Sequence, residues 1–143
     1  MGDISVNGAQ VQMIYPDRAE AYDQIAAETL TGGAACYLTS AGKQGLADAN
    51  ASGKEQCTGV MIPNVASGVG AGQGFTLLRR GHVAGFDLSG LAYGALVYLS
   101  DTPGKLADAA SATKTVRVGR VVALPDSSLT KALYIDADWS QNF

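Results

Sequence analysis

The chain is poor in the residue types on which most enzymatic and metal sites depend. Its 143 residues include one histidine, two cysteines and one tryptophan. A Ser/His/Asp or Cys/His mechanism needs a histidine beside the nucleophile. The single candidate, His82, follows Arg79-Arg80-Gly81 in what we expect to be a turn or a strand edge. We therefore predict that the protein is not an enzyme, with no catalytic residues, no cofactor and no metal site.

Charge and long apolar runs are also scarce. Only 16% of the residues are charged, the formal net charge is −3, and Arg79-Arg80 is the only Lys/Arg doublet. Nucleic-acid binding requires a basic stripe, so we predict no nucleic-acid partner. The longest uncharged run, residues 56–78, is interrupted by Pro63 and several glycines, which excludes a membrane helix. The start, MGDISVNGAQ, lacks the regions of a signal peptide, which predicts a cytoplasmic product.

The two cysteines do not form a recognisable motif. Cys36 and Cys57 are too far apart for a CxxC pair, and there is no second pair to complete a zinc site. We favour free thiols packed as small hydrophobic groups over the alternative, a disulfide.

What the chain does contain is short runs with β-branched and aromatic residues, separated by Gly, Pro and Asp. Such spacing is typical of an all-β barrel or sandwich. The predicted strand runs are Ile4–Met13, Ala35–Thr39, Thr58–Ile62, Phe75–Arg79, Leu96–Leu99, Val116–Val122 and Ala132–Ile135.

One segment, DRAEAYDQIAAETLTGG, has a helical pattern instead. Tyr22, Ile25, Ala26 and Leu30 are spaced as on one face of a helix, an N-terminal cap is available at Asp17, and two glycines follow. We therefore predict one short helix there. The predicted organisation is an N-terminal arm with this helix, residues 1–32, and a small β-barrel or β-tulip-like domain, residues 33–143.

An internal repeat is the most informative feature. GAACYLTSAGKQGLADA at residues 33–49 aligns with GALVYLSDTPGKLADA at residues 94–109, and the alignment continues so that Gly59 matches Gly119. This predicts two related β units in one domain. In the second unit, Asp101-Thr-Pro-Gly104 predicts a tight turn. Val116 and Val118 are two residues apart, as expected for side chains that point inward along a strand, but the next inward position is Val121, three residues further on. This extra residue predicts a bulge at Gly119.

Apolar residues near the two termini are candidates for contacts between subunits. The alternating stretch Ile4–Met13 either adds a strand to a neighbouring chain or forms the first strand of its own barrel. The terminal aromatics either contact a neighbour or pack in the core. The candidate interface residues are Ile4, Val6, Val11, Met13, Tyr15, Trp139 and Phe143.

Three runs carry a likeness to a known family: GVMIPNVASGVGAGQGFTLLRRGHVAGF from Gly59, LAYGALVYLSDTPGKLADA, and VRVGRVVA. Together they cover roughly the last two thirds of the chain, and the most specific parts are Gly94–Gly104 and Val118-Gly-Arg-Val121. This pattern resembles the tailed-phage capsid decoration, or head cement, proteins. The N-terminal 30 residues depart from a minimal version of it.

The resemblance implies a β-barrel or β-tulip domain, commonly a homotrimer, that docks on the outer capsid surface and bridges neighbouring major capsid subunits. It implies a structural virion protein present in the host cytoplasm during assembly, with no activity or cofactor. The alternative is a carbohydrate-binding or host-attachment module on the virion surface, since compact β domains also have that function.

Overall fold

The computed structural model describes residues 2–63 and 68–139, and their regular structure is almost entirely β-strand, which confirms the predicted fold class. Two short 3-10 turns lie at Gly8–Gln10 and Pro16–Arg18. The strands are β1 (Gln12–Met13), β2 (Glu20–Ile25), β3 (Leu30–Thr31), β4 (Ala35–Leu38), β5 (Gln44–Leu46), β6 (Cys57–Ile62), β7 (Gly68–Val69), β8 (Gly74–Ala84), β9 (Leu96–Leu99), β10 (Leu106–Ala107), β11 (Arg117–Ala123) and β12 (Lys131–Asp136).

Ten of these strands form one sheet that curls into a half-barrel. Its order is β10-β9-β11-β12-β8-β6-β4-β5, and β1 and β2 also pair with β8. The pairings are antiparallel, and β8, the longest strand, connects the two halves. The separate pair β3–β7 lies outside this sheet. No helix in the described part of the chain is long and apolar enough to cross a bilayer.

The sheet order confirms the two related units predicted from the repeat. Strands β4, β5 and β6 of the first copy correspond to β9, β10 and β11 of the second, and each triplet has the same antiparallel pairing. The matched glycines also have matched surroundings. A Cβ added at Gly59 would lie 2.4 Å from the carbonyl oxygen of Leu78, and one at Gly119 would lie 2.4 Å from that of Tyr134.

Two apolar clusters pack on opposite faces of the sheet. The larger cluster fills the half-barrel and includes Val60 from β6 and Leu133 from β12. The smaller cluster includes Met61, which points away from its neighbour Val60 because side chains alternate along a strand. Residues 26–34 cover this second cluster with Ala26 and Leu30, so every residue of β6 is buried.

The predicted helix within residues 17–30 is wrong, because β2 occupies its centre. β2 pairs with β8 over a register that includes Tyr22 opposite Leu77 and Ile25 opposite Gly74. Tyr22 and Ile25 are more than 40% exposed whereas Ala26 and Leu30 are fully buried, so the four residues do not share one face. Backbone pairing with a long neighbouring strand outweighs the weak helical preference of this Ala- and Glu-containing segment.

The N-terminal segment packs on its own domain rather than extending from it. Ile4 N donates to Leu106 O, at 2.8 Å, and Asn7 N donates to Gly85 O, at 2.9 Å. The side chains of Ile4 and Val11 are buried in the larger cluster. The run 4–13 is not one continuous strand as predicted, because the Gly8–Gln10 turn separates isolated bridges from the short β1.

The turn of the second unit lies one residue later than predicted, and the bulge lies where the sequence places it. Lys105 N donates to Thr102 O, which closes a turn over residues 102–105, and Gly104 N donates to Ala47 O of the first unit, which connects the two copies. The pairing of β11 with β9 shifts register between Arg117 and Gly119. These observations agree with the predicted tight turn and the predicted bulge.

The two cysteines are free and buried. Cys36 belongs to the smaller cluster and Cys57 to the larger one, so their side chains lie on opposite faces of the sheet. Burial raises the pKa of Cys57 to about 11 and also raises the pKa of Cys36. Both groups are therefore protonated thiols at neutral pH, packed as small apolar side chains.

Candidate functional site

The structure disperses the predicted interface residues instead of gathering them into one surface. Ile4 and Val11 are buried, and the neighbouring Val6 and Met13 pack partly buried against the same core. Tyr15 lies at the surface beside His82, and Trp139 lies on a different part of the surface. Phe143 lies outside the described residues. Whether any of these side chains contacts a neighbouring chain stays a prediction.

Trp139 is the centre of a surface group that we call the aromatic–arginine patch: Tyr22, Arg79, Arg80 and Trp139. Three of these side chains are exposed, and the fourth, Arg79, is only 17% exposed. The ring centroids of Tyr22 and Trp139 are 5.6 Å apart, and the Arg79 guanidinium lies 4.8 Å from the Trp139 ring centroid. Both aromatic side chains are more than 40% exposed. The patch forms because β2 pairs with β8 and the chain after β12 returns to β6.

Hydrogen bonds fix the orientation of the tryptophan. Its Nε1 donates to Thr58 O at 2.7 Å, and the backbone beside it is held where Gln56 Nε2 donates to Asp138 O at 2.9 Å. The Trp139 ring is therefore held in one orientation by the protein itself. A preorganised aromatic side chain loses little rotamer entropy on binding, which favours affinity.

Ion pairs fix the two arginines of the patch. Arg79 Nη1 lies 2.6 Å from Glu20 Oε2, and Arg80 Nε lies 2.8 Å from Asp136 Oδ1. The hydrogen bond that Arg80 donates to Asp136 raises the pKa of the Arg80 guanidinium, which stays charged. The buried Nε of Arg79 has no hydrogen-bond partner among residues 2–63 and 68–139. Exposed ion pairs add little stability, and here they serve to orient the cations.

The composition of this patch resembles that of protein-binding surfaces. Tryptophan, tyrosine and arginine are the residue types enriched where interfaces derive most of their binding energy. The sequence indicated Trp139 but not the others, because residues 22, 79 and 139 meet only through long-range strand pairing. The one available signal was the isolated Arg79-Arg80 doublet.

His82 lies within β8, not at the turn or strand edge expected from the sequence. Its ring centroid is 5.1 Å from those of Tyr15 and Tyr134, with edge-on geometry in both contacts. Burial, and secondarily the charge of Arg18, lower the pKa of His82. The imidazole is therefore neutral at pH 7 and packs between two aromatic rings.

This environment predicts a pH-dependent component of stability. Because the folded-state pKa of His82 lies below the unfolded value near 6.5, the unfolded state binds more protons below about pH 6.5. Stability should therefore decrease as the pH falls from 7.5 to 5.5. Urea unfolding of the wild type and of His82→Gln at both pH values measures this, and the variant should show the smaller decrease. Equal decreases would mean that other groups cause the dependence.

Carboxylates elsewhere stabilise turns. Asp48 accepts from Asn50 N, and Asp87 accepts from Ser89 N and Oγ, which lowers the pKa of Asp87. Within the part of the chain that the structure describes, no three His, Cys, Asp or Glu side chains cluster as metal ligands would. Comparison of the chain with protein-family models, with curated proteins and with solved structures gave no match.

Proposed function

We propose that this protein is a structural virion protein without enzymatic activity that binds the outer surface of a tailed-phage capsid and cements neighbouring major capsid subunits. The observation that carries the proposal is the aromatic–arginine patch, which offers rigid, exposed anchor side chains of the types that dominate protein interfaces. The resemblance of runs within residues 59–123 to head decoration proteins supports the choice of the major capsid protein as partner.

A homotrimer is the proposed functional state. Three linked copies would each place one patch on the capsid, and after the first patch binds, the others bind at high effective concentration. Modest affinity at each patch then gives durable attachment to several capsid subunits. This arrangement would resist the separation of subunits on the outer surface of the virion, to which the protein would move from the host cytoplasm during assembly.

Binding of purified protein to undecorated phage heads tests this function. Trp139→Ala should weaken binding by about 30-fold or more, since loss of a central aromatic anchor typically costs at least about 2 kcal/mol. Co-sedimentation gives the affinity, and cryo-electron microscopy of the decorated heads shows whether the added density forms an ordered outer lattice. A bare lattice with wild-type protein in large excess over capsid subunits would overturn the proposal.

Two further variants make the comparison specific. Leu38→Ala removes an apolar side chain that is exposed to a similar degree but lies outside the patch, and it should bind like the wild type. Arg80→Glu reverses a charge in the patch without removing the hydrogen bond between Trp139 and Thr58, and it should bind weakly. Equal binding by all three variants would exclude the patch as the contact surface.

A carbohydrate-binding or host-attachment module is the second candidate, because Tyr22 and Trp139 are the exposed aromatic side chains such sites use. Their geometry fits sugar binding less well. The Arg79 guanidinium occupies one face of the Trp139 ring, and the Tyr22 ring is tilted by 43° against it. A flat platform for a sugar ring is therefore not preformed. Specific binding on a glycan array, together with undecorated heads, would favour this alternative.

A further inference from the structure

The two end strands of the half-barrel sheet, β10 and β5, are covered by other parts of the chain. At one end, Ile4 N donates to Leu106 O at 2.8 Å, so the N-terminal segment covers β10. At the other end, Ala27 N donates to Gln44 O at 2.8 Å, so the chain that follows β2 covers β5. An uncovered strand edge presents unpaired N–H and C=O groups to which another strand can bind, and these two contacts prevent that.

Strand β2 differs from these two because its outer edge is uncovered. It pairs with β8, and no other strand of the described residues pairs with it. Just after β2, Ala26 N donates to Gln73 O on the β8 side. Backbone groups alternate in direction along a strand, so the N–H groups of Ala21 and Asp23 point away from β8. Neither N–H has an acceptor in residues 2–63 and 68–139.

The sequence of β2 does little to prevent pairing at this outer edge. Proteins protect exposed edges with proline, lysine or a bulge, and the strand, EAYDQI, contains neither proline nor lysine. Its register shift lies between Glu20 and Ala21, which leaves residues 21–24 regular. The one local cap is the hydrogen bond from Gln24 Nε2 to Asp23 O, at 2.9 Å, and an exposed side-chain amide of this kind can be replaced by a backbone N–H.

A cavity of about 430 Å³ lies beside this edge, lined by Asp23, Gln24, Ile25, Gly74 and Phe75. Asp23 and Ile25 project on the same face of β2 because they are two residues apart. Gly74 pairs with Ile25 and leaves the space open, since a Cβ added there would lie 3.8 Å from Gln24 O. The Asp23 carboxylate has no ion-pair partner within the described part of the chain. The cavity thus combines an unpaired negative charge with the exposed apolar side chain of Ile25.

We infer that the outer edge of β2 at residues 21–24 binds an extended segment of another protein as an added antiparallel strand, with a lysine or arginine of that segment in the cavity. The unpaired backbone groups provide the hydrogen bonds, and the cavity provides the specificity. The apolar stem of a long basic side chain packs on Ile25 while its charge meets Asp23.

The charge of β2 also argues against a second copy of this chain as the occupant. The strand carries two carboxylates, Glu20 and Asp23, and no cation, so pairing two copies of it would bring like charges together. A basic segment of a different protein has the complementary charge. The inference does not depend on the capsid being the partner.

The test uses the full chain, isotopically labelled, and a blocked peptide, acetyl-Thr-Lys-Thr-Val-Thr-Val-amide, whose lysine would lie opposite Asp23. Titration should shift the amide resonances of Ala21 and Asp23 and the methyl resonances of Ile25. N-methylation of the lysine amide, which would face β2, should abolish binding. N-methylation of the threonine after it, whose amide would face away, should leave binding nearly unchanged, because amides alternate in direction along a strand.

A charge exchange completes the experiment. The peptide with Glu in place of Lys should bind at least about threefold more weakly, as expected when like charges replace an opposite-charge pair across two strands. Asp23→Lys should reverse this order of affinities. Asp17→Lys makes the same charge change at an exposed acid outside β2 and should keep the preference for the Lys peptide.

Three results would overturn the inference. The first is the absence of shifts at millimolar peptide. The second is equal binding of the two N-methylated peptides or an unchanged order of affinities in Asp23→Lys. The third is a shift of the same resonances with protein concentration when no peptide is present, because a second copy would then occupy the edge.

Discussion

Deleting residues 1–15 should leave a chain that is largely unfolded or severely destabilised. The deletion removes the buried side chains of Ile4 and Val11, each worth about 1.5–3 kcal/mol. It also removes the hydrogen bonds from Ile4 N to Leu106 O and from Asn7 N to Gly85 O. The expected loss is about 3–6 kcal/mol or more, against a total stability of about 5–15 kcal/mol for a domain. Circular dichroism and urea unfolding measure the result.

Point variants separate the packing effect from the deletion itself. Ile4→Ser should reproduce a large part of the loss, whereas Ser5→Ala changes an exposed neighbour and should leave stability nearly unchanged. A stable, cooperatively unfolding deletion variant would show that the segment is an independent arm. In that case its binding to capsids becomes the informative measurement.

Gly59→Ala and Gly119→Ala should both destabilise the protein strongly. Each new Cβ would lie 2.4 Å from a backbone carbonyl oxygen of the next strand, that of Leu78 or of Tyr134. A backbone oxygen cannot rotate away as a side chain can, so the strands must separate or shift. We expect each variant to lose about 3 kcal/mol, the upper part of the range for overpacking.

Gly90→Ala is the matched control, because nothing lies within 4 Å of its added Cβ. It should unfold at the wild-type urea concentration or slightly above, since alanine restricts the unfolded chain. A loss of stability at only one of the two matched glycines would mean that the two units are not equivalent in packing. Losses near zero at both would show that the sheet accommodates the methyl group.

Much of the fold was predictable because its strongest signals are local. The β-branched runs predict the positions of β4, β6, β9, β11 and β12 to within a few residues, and the repeat predicts which strands of the two units correspond. The bulge follows from the shift in the buried phase between Val118 and Val121, both of which are buried. These features depend on neighbouring residues or on self-similarity, and the sequence contains both kinds of information.

The failures concern features that depend on distant partners. Residues 20–25 satisfy a helical pattern, but β8 offers them a long strand edge, and no local rule reveals that edge. The aromatic–arginine patch has the same origin, since Tyr22, Arg79 and Trp139 are separated by about sixty residues each and meet only in the folded sheet. The sequence also could not decide whether residues 4–13 pair with a neighbouring chain or with their own domain, because the strands they pair with are distant in sequence.

The matched strands of the two units turn opposite faces toward the larger cluster. Val60 of the first unit lies in that cluster, whereas its match in the second unit, Arg120, is exposed and the next residue, Val121, is buried there instead. The face of the first unit that carries Met61 therefore needs a cover of its own, which residues 26–34 provide. The covering segment thus lets one duplicated unit be built into the sheet with either face inward.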